Sequence, residues 1–380
     1  MSNVKMIGGM GQSIWLDYID RELLTSGKLI NLIEQDGIRG MTSNPSIFQK
    51  AISNDPSYAN AIRSFALQGD SPSDIYEKLT IHDIQQAANQ LRPVYDQTSQ
   101  KDGYVSLEVS PKLARDTDGT IVEAHRLWAA VGRPNLMIKV PATDEGMPAI
   151  TQLISDGINV NVTLLFSQEM YAKAAEAYLL GLEKLSGKQA SLQGIGSVAS
   201  FFISRIDVEV EKAASALLKT EDHVGNNEQI KHLIGKVAIA NAKMAYQQYQ
   251  KIVSSSRWEN LAARGAEPQR LLWASTGTKS PTYSDVLYIE ELIGSDTVNT
   301  APPATLNAFR DHGRVRSSLQ ENVAEADAVL MEMEKVGVSL DKITELLLEN
   351  GIKLFDEAYD VLIDTIASKV SEYKLEEQKS

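Results

Sequence analysis

Eight short apolar segments recur along the chain, and segments with helical periodicity lie between them. These segments have the length and the β-branched content of buried strands. They are SIWLD (13–17), IRGMTS (38–43), YVSLEV (104–109), LMIKV (136–140), NVNVTLL (159–165), SVASFFI (197–203), RLLWAS (270–275) and DTVNTA (296–301). Because strands that alternate with helices form parallel sheets, eight such units predict a (β/α)8 TIM barrel, an α/β fold. An open doubly wound sheet is the alternative.

Helical periodicity occupies the connections between these strands. The clearest helices are expected over residues 22–35, 121–131, 168–185, 229–251 and 283–293. The connections 44–103 and 205–269 are too long for one helix, so we expect inserted helices there. Barrels of this class take 380 residues as one unit. We therefore expect a single domain over residues 1–380, with the barrel at about 13–312 and C-terminal helices at about 313–372.

The C-terminal segment carries only helical patterns. Ser339 has the position of an N-cap, and Gly351 has the position of the left-handed residue that ends a helix. Beyond it, one stripe of a second helix holds four apolar side chains, namely Phe355, Tyr359, Leu362 and Ile366. We expect this stripe to pack on the barrel rather than to bind a partner.

Composition limits the partners and the compartment. The net charge of -13 opposes sequence-independent binding to nucleic acid or to a membrane surface, since both need clustered Lys and Arg. The chain has no cysteine, which excludes thiolate metal sites and fits a reducing compartment. The first residues lack the apolar core of a signal peptide, and no apolar run reaches the length of a membrane span. We expect a cytoplasmic protein, either a monomer or a homodimer.

A lysine, Lys139, lies inside the apolar run LMIKV. Side chains of a strand alternate between two faces, so Lys139 shares its face with Met137, opposite Leu136, Ile138 and Val140. The same alternation gives the other strands one polar face or a polar end. The polar residues are Asp17, Thr42, Asn44, Ser106, Glu108, Asn159, Asn161, Thr163, Ser200 and Ser275. If helices cover the apolar faces, these side chains converge inside the barrel near the carboxyl ends of the strands, where barrel active sites lie.

A lysine in such a place suits one kind of chemistry. Burial disfavours the ammonium form of a lysine, so the amine becomes a usable nucleophile toward a carbonyl group. The product is a Schiff base, which serves as an electron sink. Asp17 and Glu108 are candidates for the proton transfers that such a reaction needs. The alternative is that Lys139 forms a purely structural ion pair with Glu108.

Neither a metal nor a cofactor is expected. The histidines, at positions 82, 125, 223, 232 and 312, have no metal-ligand spacing. The segment GTKS (277–280) resembles the end of a P-loop but has Leu272 where that motif needs glycine. Gly194 and Gly196 precede a strand rather than a helix, which argues against a dinucleotide-binding motif.

The assembled motifs resemble those of the transaldolases, a family of class I Schiff-base aldolases, from Asp17 to about Phe309. The similar segments are TSNPSIF (42–48), SLEVSPKLARDT (106–117), MIKVPAT (137–143), GINVNVTLLFS (157–167), ASFFISRID (199–207), ASTGTK (274–279) and NTAPPATL (299–306). The last two segments and the inserted helices are most similar to the longer-chain bacterial branch of the family.

The resemblance implies an enzyme of the non-oxidative pentose phosphate pathway. It would transfer a dihydroxyacetone unit from sedoheptulose 7-phosphate to glyceraldehyde 3-phosphate, giving erythrose 4-phosphate and fructose 6-phosphate. By matching positions, Lys139 would be the Schiff-base lysine and Asp17 the base that takes the proton of the C4 hydroxyl. Glu108 and Thr163 would hold a proton-relaying water. Three residues would bind the hydroxyls of the three-carbon unit: Asn44, Asn161 and Ser200.

The resemblance also suggests how a phosphate is bound. Arg205 matches the phosphate-binding arginine, and Ser275 would lie beside it. Shorter transaldolases have a second arginine two residues after that serine, where this chain has Gly277. We expect Lys279 to supply the missing charge.

Two alternatives to transfer stay open. The first is a lyase similar to fructose 6-phosphate aldolase, which releases free dihydroxyacetone. Phe202 argues against it, because the aldolases resemble this chain but have a tyrosine at that position. The second alternative is a barrel that binds sugar phosphates without catalysis, which predicts the loss of the lysine or a carboxylate. Lys139, Asp17 and Glu108 are all present.

Overall fold

In the computed structural model, the apolar runs of the sequence form parallel strands that close into a barrel. The structure describes residues 2–219 and 227–377. The strands are β1 Gln12–Asp17, β2 Gly40–Thr42, β3 Tyr104–Glu108, β4 Leu136–Pro141, β5 Val160–Leu165, β6 Ser197–Phe202, β7 Arg270–Ala274 and β8 Thr297–Ala301. Each strand pairs with the next, and β8 pairs with β1. The (β/α)8 TIM barrel is confirmed and the open sheet is excluded. Each predicted strand begins and ends within two residues of the corresponding observed strand.

Helices cover the outside of the barrel. They are α1 Asn3–Ile7, α2 Arg21–Thr25, α3 Lys28–Asn31, α4 Pro45–Asn54, α5 Ala59–Leu67, α6 Pro72–Gln97, α7 Thr117–Val131, α8 Gly146–Ser155, α9 Gln168–Lys188, α10 Ser204–Leu217, α11 Asn227–Leu233, α12 Val237–Val253, α13 Ser256–Ala262, α14 Leu287–Glu290, α15 Pro303–His312, α16 Val323–Lys335 and α17 Leu340–Glu377. Over residues 2–219 and 227–377, no helix has both the length and the apolar character that a membrane crossing requires.

The two long connections contain the inserted helices that their length predicted. The first holds α4, α5 and α6, and the second holds α10 to α13. Local signals in the sequence define where these helices begin. The Oδ1 atom of Asn44 accepts a hydrogen bond from the Ile47 amide at 2.9 Å, and Pro45 occupies the first turn of α4. Asn44 is thereby fixed where β2 leads into α4.

Two helices that we predicted as continuous are interrupted by glycines. The helix expected over 22–35 is divided into α2, α3 and a π-helical turn, because Gly27 has φ +80°. The helix expected over 229–251 is divided into α11 and α12 at Gly235, which has φ +76°. A left-handed residue ends a right-handed helix, and glycine takes this conformation without strain.

The helix predicted over 283–293 was also wrong in extent, since only Leu287–Glu290 is helical. Tyrosine side chains tie this segment to α10. The Tyr283 hydroxyl donates a hydrogen bond to Glu211, and the Tyr288 hydroxyl donates one to Asp207 at 2.8 Å. These contacts hold the segment as turns around a short helix.

The prediction that Gly351 ends a helix was wrong. The single helix α17 passes through it, beginning where the Ser339 hydroxyl accepts a hydrogen bond from the Lys342 amide at 3.4 Å. Gly351 is needed for close packing instead of a left-handed turn. A Cβ atom at this position would lie 2.9 Å from Cδ2 of Leu164, in β5. The glycine therefore lets α17 approach the barrel closely.

The apolar stripe of α17 packs on the barrel, as the periodicity predicted. Phe355, Leu362 and Ile366 are buried, and Tyr359 is half-buried. The Tyr359 ring contacts the Tyr76 ring edge to face, with centroids 5.4 Å apart. Tyr76 in turn contacts Phe48 in the same way at 6.4 Å. The C-terminal helix is thus fastened to α4 and α6, beside the open end of the barrel.

We predict that Gly351→Leu destabilises the protein by about 2 kcal/mol, because the added side chain overpacks the contact between α17 and β5. Urea unfolding would measure this loss. Gly187→Leu is the matched control, since Gly187 also lies in a helix but no atom lies within 4 Å of the place that its Cβ atom would take. Equal stability of both variants would contradict the proposed close contact.

Candidate active site

A cavity of about 380 Å³ opens at the carboxyl ends of the barrel strands. All of the predicted site residues except Glu108 and Asn161 line it. They are Asp17, Asn44, Lys139, Thr163, Ser200, Phe202, Arg205, Ser275 and Lys279. Alternation along the strands places five of these residues, and the other four follow the carboxyl ends of strands, so that residues far apart in the sequence come together.

Lys139 lies deep in this cavity, and only 4% of its surface is exposed. Its Nζ atom lies 3.5 Å from Oε2 of Glu108 and donates a hydrogen bond to the backbone carbonyl of Ser43 at 3.0 Å. Strand pairing produces the ion pair, because Glu108 of β3 stands opposite Lys139 of β4. The Phe355 ring covers the amine, with its centroid 5.9 Å from Nζ.

Glu108 is the acid next to this amine. Both of its carboxylate oxygens are buried, and apart from the 3.5 Å ion pair neither has a hydrogen-bond partner among the described residues. Burial raises the pKa of Glu108, while the Lys139 charge lowers it and the Asp17 charge raises it further. The buried hydroxyl of Thr163 likewise has no partner within the described part of the chain. These oxygens are available to hold a water molecule beside the amine.

Asp17 is the second acid of the cavity. Thr42 donates a hydrogen bond to Oδ1 of Asp17 at 2.6 Å, and the Thr42 hydroxyl also lies 2.7 Å from that of Thr300. Burial raises the pKa of Asp17, against the lowering effects of the Thr42 hydrogen bond and of the charges on Lys139, Lys279 and Arg205. Asp17 therefore faces both the amine and the cations of the cavity.

The predicted hydroxyl-binding residues differ in their access to the cavity. Asn161 is completely buried, donates to the Ser106 hydroxyl at 3.0 Å, and accepts a hydrogen bond from Ser200 at 2.6 Å. The structure thus places Asn161 behind Ser200 instead of on the cavity wall, and direct contact with a sugar stays a prediction. Asn44 does line the wall, with its Oδ1 already used as the cap of α4.

Three cations gather on another part of the wall: Arg205, Lys279 and Lys50. Burial lowers the pKa of Lys279, as do the charges of Arg205 and Lys50, while Asp17 raises it. In the ranges that the structure describes, none of the three lies within ion-pair distance of a carboxylate. Such a group of unpaired cations favours an anion with more than one negative charge. Arg205 also stacks 5.6 Å above the Phe202 ring.

Among the cavity residues that the sequence analysis missed, Lys50 and Phe355 contribute a charge and a ring beside Lys139. Lys50 lies three residues after Ile47 on α4, and both line the cavity. The spacing of three residues places Lys50 on the same side of α4 as Ile47, but Ile47 was not a predicted site residue, so the sequence analysis had no signal for Lys50. Phe355 was assigned to packing alone, and the sequence gives no signal that this part of the stripe covers Lys139.

Ser275 adopts a left-handed conformation, with φ +56°, directly after β7. Its hydroxyl lies 2.9 Å from that of Ser204, and its backbone carbonyl accepts a hydrogen bond from the Ser204 amide. A non-glycine residue with positive φ is often found at functional sites. The turn brings Ser275, Gly277 and Lys279 to the wall near Arg205.

Metal ligands were sought among the described side chains. There, no three His, Cys, Asp or Glu residues are grouped in a way that could hold a metal ion. Of the five histidines, His223 lies outside the described residues.

Comparison with known proteins agrees with this arrangement. The sequence model of the family described as Transaldolase/Fructose-6-phosphate aldolase matches residues 14–366. The chain belongs to this family. It is 46% identical to a transaldolase of Trichodesmium erythraeum over 366 residues, which is 96% of each chain. It is 47% identical to transaldolase 2 of a Nostoc species over 95% of each chain. It is 46% identical to a transaldolase of Thermobifida fusca over 97% of this chain and 99% of that protein.

We predict that Thr42→Val moves the acid limb of kcat/KM for fructose 6-phosphate to higher pH. Loss of the hydrogen bond raises the pKa of Asp17 further, so the carboxylate is protonated at a higher pH. The expected shift is about one pH unit, since one pKa unit corresponds to about 1.4 kcal/mol, the size of one hydrogen bond to a charged group.

Thr300→Val is the control for this prediction, because it leaves the bond between Thr42 and Asp17 in place. A shift of the same size in both variants, or in neither, would show that the Thr42 hydroxyl does not set the titration of Asp17.

Proposed function

We propose that the protein is a transaldolase that uses Lys139 as its Schiff-base lysine. It transfers a dihydroxyacetone unit from sedoheptulose 7-phosphate to glyceraldehyde 3-phosphate, giving erythrose 4-phosphate and fructose 6-phosphate. The observation that carries the proposal is a buried lysine amine, placed beside Glu108 and opposite unpaired cations in one cavity. Family membership supports the same conclusion.

The first step joins Lys139 to the donor ketose. The amine attacks the C2 carbonyl, and the resulting carbinolamine loses water to form an imine. The departing hydroxyl needs a proton, which Glu108 supplies through a water held with the Thr163 hydroxyl. The raised pKa of Glu108 suits this role, because the carboxyl is protonated more readily than an exposed one.

The second step breaks the bond between C3 and C4. Asp17 takes the proton of the C4 hydroxyl, the aldehyde departs, and the electron pair of the broken bond passes to the imine. The resulting enamine stays on Lys139. Asn44 and Ser200 bind its hydroxyls, and Asn161 orients Ser200 through the 2.6 Å hydrogen bond between them. The Phe355 ring limits access of bulk water to the adduct.

The last steps reverse this order with a different aldehyde. The enamine carbon attacks the aldehyde of the acceptor, and Asp17 returns the proton to the new hydroxyl. Water then adds to the imine, and the ketose product leaves. Each turnover therefore releases one water at imine formation and consumes one at hydrolysis.

Phosphate is bound by the cations on the cavity wall. Arg205 presents a planar fork that suits a phosphate, and Ser275 adds a hydroxyl. Lys279 supplies charge where shorter relatives have an arginine at the position of Gly277. Lys50 completes the group from α4.

Transfer is favoured over simple cleavage by the wall around Phe202. This ring packs against Phe166, with centroids 5.2 Å apart, and lines the cavity without a hydroxyl. The lyase alternative needs a group that protonates the enamine so that dihydroxyacetone leaves, and Phe202 cannot act as an acid. Product analysis with and without acceptor aldehyde distinguishes the two reactions.

The proposal is tested by borohydride reduction in the presence of fructose 6-phosphate. We expect a covalent three-carbon or six-carbon adduct on the peptide that contains Lys139, and inactivation in proportion to the adduct. Lys139→Met should give no adduct and no turnover. An adduct on another lysine, or full activity of Lys139→Met, would contradict the mechanism.

We predict that Lys279→Ala and Lys50→Ala each raise the KM for fructose 6-phosphate about tenfold, equivalent to about 1.4 kcal/mol, with little change in kcat. Steady-state kinetics with fructose, which has no phosphate, should show no such change. Lys251→Ala is the control, because Lys251 is exposed on α12 and does not line the cavity. An unchanged KM in either cavity variant would remove that lysine from the phosphate site.

A further inference from the structure

A second cavity, of about 330 Å³, lies on the other side of the ion pair between Lys139 and Glu108. Residues of α4, α6, α7 and α17 form its walls together with the end of β3. Its inner end is buried at Ser43, Leu107 and Val109, while its outer end reaches the exposed residues Ser73 and Arg126. It therefore runs from the surface to the carboxyl end of β3. We call it the rear cavity.

The ion pair stands between the two cavities. Lys139 lines the cavity that holds the substrate in the proposed function, whereas Glu108 lines the rear cavity. Within the described chain, only Asn44 lines both. Ser43, whose carbonyl accepts a hydrogen bond from Lys139, also lines the rear cavity. The acid that serves the amine is thus reached from the side opposite to the sugar.

The walls of the rear cavity suit water better than a metabolite. Thr80, Ser110 and the phenols of Tyr76 and Tyr359 provide polar groups along it. The outer end is narrowed by Arg126, which pairs with Glu77 at 2.5 Å and with Glu123 at 2.9 Å. The carboxylates of the lining outnumber this one arginine, so the net negative charge of the lining disfavours a sugar phosphate. The carboxylate of Glu108, at the inner end, has no hydrogen-bond partner in the described chain. A polar cavity of this size is able to hold water beside it.

The chemistry of the amine creates a need for such a passage. Imine formation removes the C2 oxygen of the ketose as water, and hydrolysis returns one water to the same carbon. During both steps the sugar extends from the buried Lys139 toward Lys50 and Lys279, at the more exposed part of the cavity wall. The bound sugar then blocks the route from the amine to the solvent through the cavity that Lys139 lines.

We propose that the rear cavity is the passage by which water leaves and reaches the amine while the sugar occupies the other cavity, the one that Lys139 lines. This inference rests on the proposed function, because it concerns the water of the imine steps. Water and protons reach Glu108 from α6 and α7, and the sugar reaches Lys139 from the open end of the barrel. The passage makes no contact with the carbon atoms that are transferred.

Filling the rear cavity tests the proposal. Leu127 is buried on α7 and lines the passage, so Leu127→Phe narrows it, while Leu127→Met retains its volume as the control. Thr80→Leu narrows it from the opposite wall on α6, with Thr80→Val as its control. Thermal unfolding of all four variants verifies that they are folded.

Rapid mixing with borohydride quenching and intact-protein mass measurement would follow each adduct on Lys139. We expect both narrowing variants to slow imine formation and imine hydrolysis several-fold. Exchange of the six-carbon adduct for the three-carbon adduct should keep the wild-type rate, because the carbon–carbon steps consume no water. The two controls should behave like the wild type. Incorporation of oxygen-18 from labelled water into C2 of fructose 6-phosphate should slow by the same factor as hydrolysis.

Imine formation and hydrolysis at wild-type rates in both folded, narrowed variants would overturn the proposal. So would an equal slowing of all steps, which would indicate a general disturbance of the site. Absence of any adduct on Lys139 in the wild-type enzyme is a different result, because it would refute the proposed function itself.

Discussion

The structure depends on one electrostatic constraint, the burial of Lys139 and Glu108 as a pair inside the barrel. Removing two such charges from water costs several kcal/mol per ion, which a single contact at 3.5 Å offsets only in part. The parallel strands fix both side chains opposite each other on β3 and β4. The folding free energy of the barrel therefore has to offset the rest of this desolvation cost. A flexible loop could not hold an amine and an acid in this way. In the proposed mechanism the strands therefore carry the groups that react with the ketose, whereas the phosphate-binding cations lie on helices and a loop.

This division continues around the cavity. Asp17 and Ser200 lie on strands, near the reacting carbons of the proposed mechanism. Lys50 and Lys279 lie on a helix and a loop, at the more exposed part of the wall. Charge at the mouth can then vary between relatives without disturbing the chemistry, which is consistent with the exchange of an arginine for Gly277 and Lys279. The fold allows binding and catalysis to be changed separately.

The strand alternation predicted the barrel and brought Lys139 and Asp17 to one cavity, because a period of two residues assigns each side chain to a face. It could not distinguish a residue on the wall from one behind it, and Asn161 lies behind Ser200, so the sugar contact that the family resemblance implies for Asn161 stays a prediction. The helices were predicted less well. The stripe through Phe355 was expected only to pack, and Gly351 was expected to end a helix, since a sequence does not reveal which surface a glycine must approach. The interruptions at Gly27 and Gly235 were missed for another reason, since a sequence does not reveal which glycine adopts a left-handed conformation.

The ring of Phe355 has a consequence for how the protein matures. Every strand of the barrel is complete by residue 301, yet the cover over Lys139 comes from more than fifty residues further on. A chain folded only as far as β8 would lack this cover over Lys139. The centre is closed only after α17 has been synthesised and has docked through Gly351.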